Sequence, residues 1–251
     1  MPHLFDHWNQ VSRRLRSVPK IALFLDFDGT LARLRPRPEQ VSLDGSVRQG
    51  LTALARSPRF RVWVISGRRQ ADVCARIRIP GIRYLGLHGW EGRGGALAQE
   101  TLRGLKCLLP RLERALADVP GLWIEDKEYA FAVHYAGVAE SDRVGARSIV
   151  DCVAEPCSKH FRIECGKNVW EVLPRELEDK GAAVKQELAL LGGRSVAVYL
   201  GDDQVDEPAF TALQGGVTVR VGPPCRTEAR YRLSGVAEVG RFLERLRAEF
   251  A

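Results

Sequence analysis

No stretch of the 251-residue chain approaches the ~18 consecutive apolar residues that a membrane helix needs, which argues against an integral membrane protein. No Lys/Arg tract with interleaved aromatics appears, so neither nucleic acid nor an anionic membrane is the expected partner. The six cysteines (Cys74, Cys107, Cys152, Cys157, Cys165, Cys225) include no C-x-x-C pair and no zinc-type spacing. They are expected to be reduced thiols, several of them buried. The opening MPHLFDHWNQVSRRLRSVPK lacks a basic stretch leading into an apolar segment with a small-residue cleavage site, so a cytoplasmic location is the expectation. Internal repeats and low-complexity segments are also missing.

What is present is a globular composition. Apolar residues make up 45% and charged residues 27%, and the length suits one or two domains with a full core. The 38 Lys+Arg against 31 Asp+Glu give a net +7. That surplus is uneven: residues 105–173 carry 9 basic and 11 acidic side chains, so the remainder holds all of the positive excess. Arginine outnumbers lysine 31 to 7, which reads as codon bias and carries no functional argument.

Short apolar runs alternate with helix-length amphipathic stretches, the pattern of a parallel sheet covered by helices. Buried-type strands are expected at Ile21–Leu25, Arg61–Ile65, Ile82–Leu87 and Val196–Leu200, and helices at Asp44–Ala55 and Asp179–Leu191. The middle differs. Leu122–Asp126 and Tyr129–Tyr135 read as a hairpin, Ser141–Val153 as a helix, and His160–Glu164 with Asn168–Leu173 as two more strands. The expected fold class is therefore α/β, a doubly wound parallel-sheet core (1–104 and 175–251) with an inserted α+β cap (105–174). Opening and closing of that cap is expected to hinge near Gly104 and Pro174.

Leu23-Phe24-Leu25-Asp26-Phe27-Asp28-Gly29-Thr30-Leu31 ends a buried strand in two carboxylates. Side chains at i and i+2 of a strand point the same way, so Asp26 and Asp28 converge while Phe27 enters the core. Two such carboxylates repel unless they share a cation, and oxygen ligands with open water positions suit Mg²⁺. An isolated Asp-x-Asp is more often a solvated turn. The full Asp-x-Asp-Gly-Thr arises by chance only on the order of a few times per thousand chains of this length.

Three later segments suit phosphoryl chemistry. Ser66-Gly67-Arg68 follows the second strand and offers a hydroxyl and amides, although Ser-Gly-Arg is also a common turn. Lys180 opens a helix whose N-terminus favours an anion, or is simply an exposed helix charge. Gly201-Asp202-Asp203-Gln204-Val205-Asp206-Glu207 places more carboxylates after the strongest late strand.

This order of motifs resembles the four-motif pattern of the haloacid-dehalogenase-like phosphatases across the whole chain. More narrowly the chain is similar to the trehalose-6-phosphate phosphatase family. The narrower likeness rests on Pro38-Glu39, Ser66-Gly67-Arg68, His88-Gly89-Trp90-Glu91, Glu125-Asp126-Lys127, His134-Tyr135, Gly166-Lys167-Asn168-Val169-Trp170-Glu171, Lys180-Gly181 and Gly-Asp-Asp-x-x-Asp-Glu. The resemblance implies a phosphoric monoester hydrolase with Asp26 as nucleophile and Asp28 as acid and base. It also implies Mg²⁺ held by Asp26, the Asp28 main-chain carbonyl and Asp202, supported by Asp203 and Asp206. Ser66 and Lys180 would bind the phosphoryl oxygens. Arg68, His88, Glu125, Lys127, His134, Lys167 and Glu171 would bind a small-molecule sugar phosphate, with the protein acting as a monomer.

The likeness has gaps. Ala136 stands where the family often has Arg after His-Tyr, Leu173 replaces Arg in Glu-x-Arg-Pro, and Val205 replaces Thr. The first two remove cap donors and leave another sugar phosphate open as substrate. A catalytically inactive sugar-phosphate-binding homologue is the remaining alternative, and retention of all the core acids argues against it.

Overall fold

A computed structural model describes residues 1–35 and 37–251. The first half of the chain runs α1 (Trp8–Arg16), β1 (Lys20–Leu25), α2 (Gly45–Arg56), β2 (Phe60–Ile65), α3 (Gln70–Ile77), β3 (Ile82–Leu85), α4 (Gln99–Leu116), β4 (Trp123–Asp126), β5 (Phe131–His134) and α5 (Glu140–Ala154). It continues β6 (Phe161–Gly166), β7 (Val169–Pro174), α6 (Lys180–Leu191), β8 (Ser195–Gly201), α7 (Glu207–Ala212), β9 (Val217–Val221), β10 (Tyr231–Leu233) and α8 (Val236–Phe250). Two compact units result, Met1–Arg93 with Asp179–Ala251, and Gly94–Glu178.

The first unit is a six-stranded sheet in the order β10-β9-β8-β1-β2-β3, parallel throughout. Its central strand is apolar on both faces, as a two-sided parallel sheet requires. Ile21, Leu23, Leu25 and Phe27 pack with α1, α2, α3 and α8 on one face. Ala22 and Phe24 pack with α6 and α7 on the other, Phe24 stacking on Trp63 at 4.5 Å. From β1 the order runs outward in both directions, so β1 and β8 flank the topological switch point, where open α/β sheets place their ligands.

The second unit is an antiparallel sheet, β4-β5-β7-β6, with α4 and α5 on one face. Register separates its faces. Ile124, Phe131, Val133, Phe161, Ile163, Trp170 and Val172 share the helix-covered side. The opposite side carries Trp123, Glu125, His134, Arg162, Glu164, Glu171 and Leu173. No helix among the described residues is long and apolar enough to cross a membrane.

The structure departs from the sequence expectations in five places. Residues 94–104 group with the second unit, not the first, because α4 begins at Gln99 and its buried Thr101, Leu105, Leu108, Leu112 and Leu116 complete that unit's core. At the far end the division falls after Glu178, four residues beyond Pro174. Gly104 cannot serve as a hinge, since it lies inside an 18-residue helix and faces the Phe161 ring. The third strand stops at Leu85, because Leu87 and His88 take left-handed backbone angles (φ +46° and +59°) that no strand accommodates. The cysteines are all free, as expected, but none is buried; five are exposed and Cys157 is half-buried.

Candidate active site

The chemistry-bearing residues of the first unit cluster where three neighbouring parallel strands end. Asp26 follows β1, Ser66 follows β2 and Asp202 follows β8, so one sheet edge collects all three. The ladder extends into the site through the Asp26 N–H, which donates to the Leu200 carbonyl at 3.0 Å. Phe27 is fully buried, leaving Asp26 and Asp28 on the open side, as strand alternation dictates.

Lys180 is the cation at the centre. It is the first residue of α6, whose start is fixed by the Asp179 side chain accepting from the Ala182 N–H at 2.8 Å. The next residue, Gly181, lies so close to the Pro208 carbonyl that a Cβ would sit 2.5 Å from its oxygen, so only glycine lets α6 and α7 approach here. Lys180 is 1% exposed, and its Nζ donates to Asp26 Oδ1 (2.7 Å) and Asp206 Oδ1 (2.8 Å). Burial pushes its pKa down, but Asp206 and Asp26 outweigh this and hold it well above the usual lysine value. It is a fixed ammonium.

Asp26, Asp202 and Asp206 are all buried, each with a carboxylate oxygen within 4.8 Å of the others. Burial raises the Asp26 pKa; Lys180 lowers it, and the Asp206 and Asp202 charges raise it again, leaving it well above the usual carboxylate range. Asp26 Oδ2 is buried and without a hydrogen-bond partner. Asp206, by contrast, is saturated. Its Oδ1 accepts from Lys180 and the Tyr199 hydroxyl (2.7 Å), and its Oδ2 from the Asp202 and Asp203 amides (2.9 and 3.0 Å). Asp203 caps the short turn at Gln204–Asp206.

A divalent cation fits this donor set. One lysine faces three buried carboxylates, the orphaned Asp26 oxygen is a ready ligand, and the donors are all oxygen, which suits a hard ion such as Mg²⁺. Asp206 already accepts from four donors, which makes it the least suited of the three to ligate an ion.

Ser66 is 1% exposed and its Oγ accepts from the Arg68 N–H at 3.2 Å, which leaves the hydroxyl proton for an anion. His88 is buried in the left-handed turn Leu87–Gly89, anchored by its backbone N–H to the Ser66 carbonyl (2.9 Å). Arg68 is turned toward Asp28 and meets both carboxylate oxygens, Nε to Oδ2 at 2.6 Å and Nη2 to Oδ1 at 2.8 Å.

In the second unit the sheet register gathers most of the predicted sugar-binding residues on the face away from the helices. Glu125, Ala132, Glu171 and Glu164 form one row across the four strands. The facing pair Glu164 and Glu171 would repel, and each has its own cation: Arg162 on Glu164 (2.7 Å) and Lys127 on Glu171 (2.5 Å). Lys127 and Glu171 are both buried. His134 bonds Glu125 at 2.9 Å and stacks on Trp123 with centroids 3.9 Å apart. Lys167 is exposed at the tip of the β6–β7 hairpin.

Sequence reasoning missed Tyr199, Asp72 and Arg76. Tyr199 is the one hydroxyl in the apolar interior of β8, Val196–Leu200, and that polar tip was the available signal. Asp72 and Arg76 continue from Arg68 at four-residue intervals, a charge pattern typical of one helix face.

With this geometry in place, likeness to known proteins is specific. The trehalose-phosphatase family model matches residues 24–233. A trehalose-phosphate phosphatase of Mycobacterium avium is 34% identical over 246 residues, 90% of this chain and 61% of that protein. A Mycobacterium tuberculosis protein described as an uncharacterized glycosyl hydrolase is 33% identical over 252 residues, 93% of this chain but 19% of its own length. The chain thus spans only part of either relative. Among solved structures, the C-terminal domain of Candida albicans trehalose-6-phosphate phosphatase superposes with a TM-score of 0.84 at 21% identity, covering 100% of this chain and 99% of that one, a likeness of fold. The match over 24–233 takes in every site residue named in this section, and the chain belongs to the trehalose-phosphatase family.

Proposed function

We propose that this chain is a Mg²⁺-dependent phosphoric monoester hydrolase that converts trehalose 6-phosphate to trehalose and phosphate through an aspartyl-phosphate on Asp26. The observation that carries the reading is the Asp26 carboxylate, with one oxygen held by Lys180 and the other buried without a partner. An aspartate presented in this way is poised as a nucleophile.

Asp26 attacks phosphorus in line, and the P–O bond to the sugar breaks with its electron pair passing to the sugar oxygen. Asp28 supplies the proton that this oxygen takes. Water then attacks the aspartyl-phosphate, gives its proton to Asp28, and releases phosphate with Asp26 restored. Lys180 spends two N–H donors on Asp26 and Asp206, and its third, with the Ser66 hydroxyl, is directed to the phosphoryl oxygens. Asp26, Asp202 and the Asp28 main-chain carbonyl would hold Mg²⁺, whose contribution is to neutralise the charge between the phosphate dianion and the carboxylate. Glu125, Lys127, His134, Lys167 and Glu171 would meet the sugar hydroxyls. A different sugar phosphate is the second reading, favoured by Leu173, a fully buried apolar residue on the same strand face as Glu171, and by Ala136.

Phosphate release from a panel of sugar phosphates, with Mg²⁺ or with chelator, tests this. Trehalose 6-phosphate is expected to be the preferred substrate, with activity abolished by chelator and by Asp26→Asn. Preference for another sugar phosphate would keep the mechanism and move the substrate. A panel that stays silent while ligand still binds would mean an inactive homologue.

A further inference from the structure

We infer that Arg68 acts in this site by positioning Asp28, and that Asp72 and Arg76 in turn position Arg68; the inference rests on the phosphatase reading. Arg68 is 8% exposed, and its guanidinium makes four hydrogen bonds inside the protein. Besides the two to Asp28, Nη2 donates to the Pro38 carbonyl (3.1 Å) and Nη1 to Asp72 Oδ2 (2.9 Å). A guanidinium has five N–H donors, so the fork that would clasp a phosphate is already spent on a carboxylate.

The arrangement continues outward in a fixed order. Asp72 lies on the first turn of α3, and both of its oxygens accept from Arg76 Nε at 2.9 Å. Arg76 Nη1 then donates to the Glu39 and Val41 carbonyls, both at 3.0 Å. Arg48 fastens the end of the same helix through the Ile77 and Arg76 carbonyls (2.6 and 3.2 Å). Asp28 is therefore aimed by a chain of charge-assisted bonds anchored on backbone. A flexible arginine alone would leave the Asp28 carboxyl free to rotate. A doubly held one fixes the direction from which its proton reaches the departing sugar oxygen as the P–O pair moves onto that oxygen.

A positioning role for the proton donor predicts a dependence on the leaving group. An alkoxide leaving group needs the proton; an aryl oxide leaves without it. The experiment compares kcat/KM of the full chain with Mg²⁺ on trehalose 6-phosphate and on 4-nitrophenyl phosphate, for wild type, Asp72→Asn, Arg76→Gln and Arg68→Lys. Inhibition by inorganic phosphate and the melting temperature are recorded for each. Asp72→Asn is expected to lose about tenfold on the sugar phosphate and less than about twofold on the aryl phosphate. Arg68→Lys should lose about a hundredfold and about twofold respectively, with phosphate inhibition unchanged. Equal losses on both substrates with weakened phosphate inhibition would make Arg68 a phosphate ligand and overturn the proposal. Equal losses that track a lowered melting temperature would make the chain of ion pairs merely structural and overturn it as well. Wild-type silence on both substrates would overturn the phosphatase reading and this inference with it, and is recognised before any variant is compared.

Discussion

Lys180→Met should be among the most damaging single substitutions in the first unit. The methionine fills the lysine stem's volume but leaves Asp26, Asp202 and Asp206, with oxygens within 4.8 Å of one another, without the ammonium that bonds two of them. Breaking a buried ion pair by removing one partner costs about 3 to 5 kcal/mol, and denaturant unfolding in the presence of chelator should show a loss of that order at neutral pH. Hydrolysis should fall by at least about a hundredfold, since a preorganised donor to the phosphoryl oxygens is lost as well. The pH dependence has a definite sign. Folded Asp26 holds its proton above the value of 3.8 that the unfolded chain has, through burial first and then the neighbouring carboxylates. Lys180 opposes that rise, so without it Asp26 takes up its proton at a still higher pH than in the wild type, and the variant's deficit should shrink as the pH falls from neutrality. A deficit independent of pH would mean that the ammonium does not balance these acids.

Gly29→Ala should be nearly as severe for activity, for a different reason. Gly29 has φ +84°, and a Cβ there would fall 2.1 Å from Asp202 Oδ2 and 2.4 Å from its Cγ. Real Cβ atoms do not approach so closely, so Asp202 must leave its place beside Asp26. Gly193→Ala is the control: φ is +69°, and nothing lies within 4 Å of the added atom. Both variants carry the backbone strain of a left-handed alanine, about 1 kcal/mol, and should lose similar stability from it. Only Gly29→Ala should lose activity, by at least about a hundredfold, with weaker divalent-cation binding by titration calorimetry. Equal activity in the two variants would show that Asp202 has no defined place in the reaction.

Much of this site was legible because strand alternation and motif order are local properties. Asp26, Phe27 and Asp28 needed only a period of two to be sorted into site and core. The cap strands were recognisable because short runs rich in aromatic and β-branched residues are separated by tight polar turns, and the structure places Phe131, Val133, Trp170 and Val172 on the covered face. What escaped depended on tertiary pairing. Nothing in Ser66-Gly67-Arg68 says whether the guanidinium turns outward to a ligand or inward to Asp28; that depends on Asp72 and the Pro38 carbonyl, remote in sequence from Asp28 and brought there by folding. The start of the second unit escaped because α4 carries the boundary inside an uninterrupted amphipathic helix, whereas Gly94-Gly95 was the true punctuation. The Leu87–Gly89 turn escaped because Leu87 is an apolar residue with a positive φ, a conformation that its side chain disfavours and that the Arg68 carbonyl accepting its N–H at 2.9 Å helps to impose.

The central claim is that Asp26 itself carries the phosphoryl group. Acid quenching of the Mg²⁺-loaded protein during turnover of trehalose 6-phosphate, followed by mass analysis of its peptides, tests this most directly. The account predicts one added phosphoryl group on the peptide containing Asp26, absent in Asp26→Asn and discharged when that peptide is treated with hydroxylamine. Turnover with no such adduct, or with Asp26→Asn retaining activity, would contradict it.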